Sequence, residues 1–399
     1  PPSTALPAAC DKRGLYVIDE AVDASREGKR AYDEHLFFED EWENEITAMI
    51  SRDYNHPCVV MWSTGNEIYE RCGASEGASW SHRLAGKVRE LDRSRPIINA
   101  LCGFFEEGIL ADTEANLKST TGEGKDYWAR KSEDFASALD IVGYNYLLDR
   151  YEKDALLFPN RIFCGTESFP RQARENWLAV QNIPNVIGDF VWTAWEYLGE
   201  SGLGHSDFNT DSGFQHRFFP WHVANCGDLD ICGHKRPQSH YRDFVWSDRT
   251  APYIGVQHPS HFGQQEIVSA WGWPDLNDQW TFPGYEDHKI QVVVYSAGDS
   301  VVLKLNGQII GETRTDKYIA VFEVSFRPGK LEAESYKGGQ LIGTAQLNTP
   351  GTPASLHATL EGHDDDNIRF MTIEIHDAAG IRVANAADEV TLEVDGAEL

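Results

Sequence analysis

The sequence predicts an α/β fold built on a parallel sheet, followed by an all-β tail. Three observations carry that prediction. Six short apolar runs alternate with segments of helical periodicity between Leu15 and Trp192. After Trp246 the texture changes to evenly spaced alternating runs separated by turn residues. Two of the apolar runs lead directly into a glutamate, Glu67 and Glu167.

The candidate strands are Leu15–Ile18, Val59–Trp62, Pro96–Ala100, Ile141–Tyr144, Ile162–Gly165 and Ile187–Trp192. Between the first two, His35 to Arg52 places Leu36, Phe37, Trp42, Ile46, Met49 and Ile50 at the spacing of one helical face, with Phe38 off the pattern. Ser81–Leu91 and Ser132–Leu139 read as later helices. Strands that alternate with helices pair in parallel, because the helix is the crossover. In a β/α barrel the residues just past each strand's carboxyl end face the active-site mouth. Two carboxylates so placed are what hydrolysis of a glycosidic bond by a retaining mechanism requires.

Ser247 to Gln264 contains Pro, Gly and His and has no period, so a domain boundary is expected there. Alternating runs follow at Ile290–Tyr295, Val301–Leu305, Tyr318–Val324 and Leu331–Tyr336, and Asn306-Gly307 is a two-residue hairpin turn. Short strands with such turns predict an immunoglobulin-like β-sandwich. Asn348-Thr349-Pro350-Gly351 reads as a second linker. Beyond it Ile368–Ile375 alternates again, and Asp377-Ala378-Ala379-Gly380 turns back. The expected domains are therefore 1–248, 249–348 and 349–399, the last too thin to be a whole sandwich.

Composition excludes more than it suggests. At 399 residues there is ample chain for a large core. A net charge of −28 disfavours nucleic acid and anionic membranes as partners. No apolar run approaches the length of a membrane span. Localisation and oligomeric state are not legible. The seven cysteines include no Cys-x-x-Cys, so neither a zinc site nor a redox pair is indicated. Cys226 and Cys232 are close enough in sequence to pair, although buried thiols are the simpler reading. Asp207-x-Asn209-x-Asp211-Ser212-Gly213 approximates a calcium loop, but its glycine is one place late and position twelve is Phe218. The run His363-Asp364-Asp365-Asp366 is read as a solvated loop.

The run Asn55-His56-Pro57-Cys58-Val59-Val60-Met61-Trp62-Ser63-Thr64-Gly65-Asn66-Glu67 resembles the acid/base signature of glycoside hydrolase family 2, the β-galactosidases, β-glucuronidases and their relatives. Thr166-Glu167-Ser168 is similar to that family's nucleophile motif, and Gly188-Asp189-Phe190-Val191-Trp192-Thr193-Ala194-Trp195 to the strand after it. Cys226-Gly227-Asp228-Leu229-Asp230 through Gln238 looks like the barrel exit. Cys10 to Ala21 resembles the third barrel strand and the helix end before it. The resemblance thus implies a partial (β/α)8 TIM barrel, strands three to eight. It also implies a chain that is part of a longer protein and is not a competent enzyme alone.

The resemblance assigns roles. Glu167 would attack the anomeric carbon, and Glu67 would protonate the leaving oxygen and later deprotonate water, which calls for a raised pKa at Glu67. Asn66 would bind the sugar 2-hydroxyl. Tyr146 would position the nucleophile, with Tyr144 as its rival. Trp192 would floor the sugar site, with Trp195 as packing. Asp19 and Glu20 would touch sugar hydroxyls or serve structure. Metal-dependent members carry Glu-x-His after the Asp-Glu pair, where this chain has Ala24 and Arg26, so no metal and no cofactor is expected. The partner is a β-linked carbohydrate. The acidic residues Asp228 and Asp230 stand near the place where β-glucuronidases carry Asn-x-Lys, which favours a neutral sugar and a β-galactosidase. The alternatives are a β-glucuronidase or other family 2 glycosidase, and a carbohydrate-binding fragment without hydrolysis.

Overall fold

A computed structural model describes residues 2–103, 126–208, 219, 221–362 and 368–393. The calcium-like loop beyond Phe208 and the His363–Asp366 run lie outside them. The chain divides into two compact units, 1–194 and 195–399.

In the first unit, strands β1 (Val17–Glu20), β2 (Val59–Asn66), β3 (Ile97–Leu101), β4 (Ile141–Asn145), β5 (Ile162–Ser168) and β6 (Val186–Val191) form one sheet in chain order. Every neighbouring pair is parallel. Helices α1 (Ala5–Arg13), α2 (Phe38–Asp53), α3 (Gly77–Leu91), α4 (Tyr127–Ala136), α5 (Tyr151–Leu157) and α6 (Ala173–Asn182) alternate with them. This is a partial TIM barrel of six parallel strands. β2 and β5 run further than expected, to Asn66 and Ser168, so Glu167 lies inside the ladder opposite Asn145.

Helix α2 corrects one expectation. Leu36 belongs to a separate 3-10 turn, Glu34–Leu36, and the α-helix starts at Phe38. Its inward face therefore counts from Phe38, through Trp42 and Ile46 to Met49 and Ile50. Phe38 is buried against Trp80, with ring centroids 4.9 Å apart, while Leu36 and Phe37 are exposed. Glu39, Asp40 and Glu41 in the first turn and Arg52 in the last complement the helix dipole. In the 3-10 turn after β4, Arg150 is buried between Asp126 and Asp154, which both accept from its guanidinium.

In the second unit, two short pairs come first: β7 (Tyr197–Leu198) with β9 (Val223–Ala224), and β8 (Ser206–Phe208) with β11 (Glu266–Val268). Helix α7 (Tyr241–Trp246) precedes the sandwich. One sandwich sheet is β10 (Tyr253–Val256), β12 (Lys289–Tyr295) and β15 (Ile319–Ser325). The other is β14 (Gln308–Arg314), β13 (Ser300–Leu305), β16 (Lys330–Lys337) and β17 (Gln340–Asn348). Val292, Val294 and Phe322 from the first sheet share a core with Val301, Leu303 and Leu331 from the second. Asn306 and Gly307 turn the β13–β14 hairpin with φ of 51° and 81°, the two positive values a type I′ turn needs. β10 falls within the stretch read as a linker. Only four residues long, it gives too short a run for periodicity to show. Past Thr349, β18 (Pro353–Glu361) pairs with β19 (Phe370–Asp377) as a two-stranded sheet. All seven cysteines are free.

Candidate active site

The end of β2 is built by close packing. Gly65 has φ of 155°, and a Cβ there would stand 2.9 Å from Ile68 and 3.0 Å from Asn99 Nδ2, so a side chain does not fit. The chain then turns sharply. Glu67 takes a left-handed φ of 46°, its amide donating to Ala100 O at 2.8 Å. At the end of β4 Tyr146 does the same with φ of 59° and donates its amide to Glu167 O at 2.8 Å. Left-handed non-glycine residues cost free energy and persist where their surroundings hold them, as at working sites.

Two neighbours on β4 reach the two glutamates. Asn145, fully buried, donates from Nδ2 to Glu67 Oε1 at 3.1 Å and to Asn66 Oδ1 at 3.0 Å. Tyr146 donates its hydroxyl to Glu167 Oε2 at 2.5 Å and stacks on Phe169. Tyr144 instead donates to Asp154 at 2.7 Å within the core, so it is Tyr146 that contacts Glu167. Thr166 donates to Asn145 Oδ1 at 2.5 Å, which ties β5 to the same side chain. Asn145 was not among the residues singled out from the sequence. Its signal was a polar side chain closing the apolar run Ile141-Val142-Gly143-Tyr144.

Glu167 carries a raised carboxyl. Burial first, and the charge of Glu67 second, push it up to about 8, while the Tyr146 hydroxyl opposes the shift. Glu20 accepts from Ser63 Oγ at 2.6 Å, and its charge also raises Glu167. Glu20 is itself raised, chiefly by burial. Its neighbour Asp19 points the other way, because successive strand residues face opposite sides of the sheet. Fully buried and raised to about 7 by burial and by Asp53 on α2, Asp19 lies apart from the glutamates. Trp192 follows β6, its amide donating to Ser168 O at 3.0 Å, and a cis peptide joins it to Thr193. Trp195 falls in the second unit, about half exposed, with its indole N–H donating to Ile231 O at 3.4 Å.

Arg26 is ion-paired with Glu39 at 2.6 Å and Glu76 at 2.9 Å. Among the described residues, Asp11, His56 and Cys58 bring metal-ligating atoms within 4.8 Å of one another. They satisfy each other instead: Asp11 bonds His56 Nδ1 at 2.6 Å and accepts from the Cys58 amide at 2.9 Å. Burial and Asp11 push the Cys58 thiol up to about 11, which keeps it protonated. Among the described residues no helix is long and apolar enough to cross a membrane.

Residues 1–126 match the family model described as the TIM barrel domain of glycosyl hydrolases family 2. A solved glycosyl hydrolase family 2 member from Bacteroides cellulosilyticus superimposes with a TM-score of 0.81 at 37% identity, over 96% of this chain and 47% of that one. The chain belongs to glycoside hydrolase family 2. A β-galactosidase of Bacteroides ovatus is 24% identical to this family 2 chain, over 99% of it and 49% of the relative. A putative β-glucuronidase of Formosa agariphila is 23% identical, over 97% of the chain and 37% of the relative. The chain thus spans about half or less of the length of these two curated relatives. Residues 287–343, inside the sandwich, match a domain of unknown function, DUF4982.

The acidic pair in the barrel-exit motif of this family 2 chain is internally engaged. Asp228 is ion-paired with Arg242, and Asp230 accepts from the amides of Cys232 and His234, each at 2.9 Å. Both carboxylates serve the local turn and helix α7, so they are weak grounds for rejecting an acidic sugar.

Proposed function

We propose that this family 2 chain carries the hydrolytic centre of a retaining β-glycosidase that acts on terminal β-D-galactosides. One observation supports this above the rest: Asn145 and Tyr146, consecutive at the end of β4, each donate to one of the two glutamates. Glu67 and Glu167 therefore open on the same mouth. Below about pH 8 Glu167 retains a proton, and one proton is what double displacement needs.

In the first step Glu167 attacks the anomeric carbon while Glu67 gives its proton to the leaving oxygen. The donor from Tyr146 favours the Glu167 anion, and the glycosidic oxygen gives the shared proton its acceptor at Glu67. Once Glu167 is a neutral ester, its repulsion of Glu67 is gone. Glu67 then deprotonates water, which attacks the anomeric carbon and releases Glu167. Asn66, held by Asn145, is offered to the 2-hydroxyl, Glu20 to other hydroxyls, and Trp192 to the apolar face of the ring. Asp19, turned to α2, serves structure.

A neutral sugar is favoured by charge. Glu20, Asp23, Glu67 and Glu167 gather around a single described lysine, Lys29, which is already paired with Asp23 at 2.9 Å. A uronate would meet a surplus of negative charge. The resemblance to a β-galactosidase points the same way, and the likeness to a putative β-glucuronidase keeps the acidic sugar as the reading to test against. The experiment uses the whole protein and a 2-deoxy-2-fluoro-β-galactoside with an activated leaving group. The peptide bearing Glu167 is expected to gain the mass of the fluorosugar. A label on Glu67, or none, would overturn the assignment. Faster turnover of an aryl β-glucuronide than of the β-galactoside would overturn the sugar alone.

A further inference from the structure

We propose that Lys29 is a positioning residue for the acid/base glutamate: its ammonium, reaching in from the loop after β1, fixes the peptide that joins Asn66 to Glu67. The inference rests on the reading of Glu67 as acid/base.

Lys29 Nζ donates to Asn66 O at 2.8 Å and to Asp23 Oδ1 at 2.9 Å. That carbonyl belongs to the peptide whose nitrogen is Glu67 N, and Glu67 N in turn donates to Ala100 O at 2.8 Å. Asn66 N donates to Val22 O at 3.3 Å. The turn into Glu67 is thus held from β3 on one side and from the β1 loop on the other. It has to be held. A φ of 46° at a glutamate is strained and relaxes unless its surroundings oppose it.

The chemistry suits lysine. A charge-assisted bond to a carbonyl is stronger than a neutral one, and the ammonium has further donors for Asp23. The Lys29 side chain is 19% exposed and that of Asp23 65%, so the water-facing partner is the carboxylate and the inward end of the bridge is the peptide. The same positive charge opposes the rise in both Glu20 and Glu167. Among the described residues, the partners of the Lys29 ammonium are Asp23 and the Asn66 carbonyl, and not a glutamate. Lys29 acts through the backbone.

A misplaced acid/base is felt where protonation of the leaving group limits the rate. In the whole protein, Lys29→Met is therefore expected to leave kcat/KM on a dinitrophenyl β-galactoside within about threefold. On alkyl or unactivated aryl galactosides it should cost about ten- to a hundredfold, the scale of small misplacements. Lys29→Arg should recover most of the loss. Should Lys29→Met fail to fold, Lys29→Gln carries the same expectation at smaller amplitude. Equal losses on every leaving group, or none, would overturn the proposal, since a merely structural lysine changes the amount of folded protein and not the slope. Glu67→Ala is the reference. If it shows no leaving-group dependence, the acid/base reading itself has failed; if it does and the Lys29 variants do not, only the clamp has.

Discussion

Tyr146 holds Glu167 at two points, its hydroxyl on the carboxylate at 2.5 Å and its amide on the backbone carbonyl at 2.8 Å. Tyr146→Phe removes only the first. A hydrogen bond to a charged group contributes about 1.5–3 kcal/mol, so turnover should fall roughly ten- to a hundredfold. Because that hydroxyl opposes the upward shift of Glu167, the alkaline limb of the pH–rate profile should move to higher pH in the variant. An unmoved limb with unchanged kcat would show the contact to be idle.

The pH dependence has a definite sign. Glu167 sits at about 8, raised by burial and by Glu67. As pH climbs through that value Glu167 loses its proton, and on the proposed roles the supply for the leaving group goes with it. The kcat/KM of the protein should therefore drop above about pH 8. In Glu67→Gln the charge that raises Glu167 is gone, so its titration, followed by NMR of labelled glutamate, should shift downward.

The same shift bears on stability. A carboxyl raised from 4.5 when unfolded to about 8 when folded binds an extra proton in the native state between those values. Its stability contribution is intact below about pH 4.5 and is lost as pH rises through 8. Glu167→Gln should accordingly stabilise the protein most above pH 8 and little at pH 4. Denaturant titrations at pH 4 and pH 9 read the difference. A gain confined to acid would contradict the assignment.

Asn145→Ala should strip Glu67 of a donor and leave Thr166 without its acceptor. The expected cost is about 1–3 kcal/mol of stability for the stranded groups. Activity should fall with it, more steeply on poor leaving groups. Asn145→Asp should be worse for catalysis than alanine, since it sets a third carboxylate against Glu67.

Arg150 tests the scaffold rather than the chemistry. It is 3% exposed between Asp126 and Asp154, and Asp126 is held down at about 2, burial opposing and Arg150 lowering it. Arg150→Met leaves buried Asp154 with only the Tyr144 hydroxyl and Asp126 with only Lys153 as side-chain partners, and should cost about 3–5 kcal/mol. Chemical denaturation measures it.

Much of this was legible in the sequence because it is written locally. All six barrel strands begin within two residues of their expected starts, since each is a short apolar run closed by turn or helix signals. Glu67 and Glu167 stood out for the same reason. Sidedness was harder. Whether Asp19 or Glu20 faces the mouth depends on register along β1, which shifts between Val17 and Ile18. Phe38 departs from the sequence pattern because a 3-10 turn precedes the helix and resets its phase. Asn145 shows in the sequence only as a polar residue closing an apolar run; its importance lies in partners at the ends of β2 and β5, distant in the chain.

The two glutamates ride on strands that are not neighbours, with β3 and β4 standing between β2 and β5. A separation built from three interstrand gaps of about 4.8 Å would accumulate the slack of each. Asn145 cuts across that sum. Its planar amide touches Glu67 with the nitrogen and Thr166, next to Glu167, with the oxygen. One rigid group thereby works as a gauge block between the two glutamates, and a sheet that breathes still presents them at a set spacing.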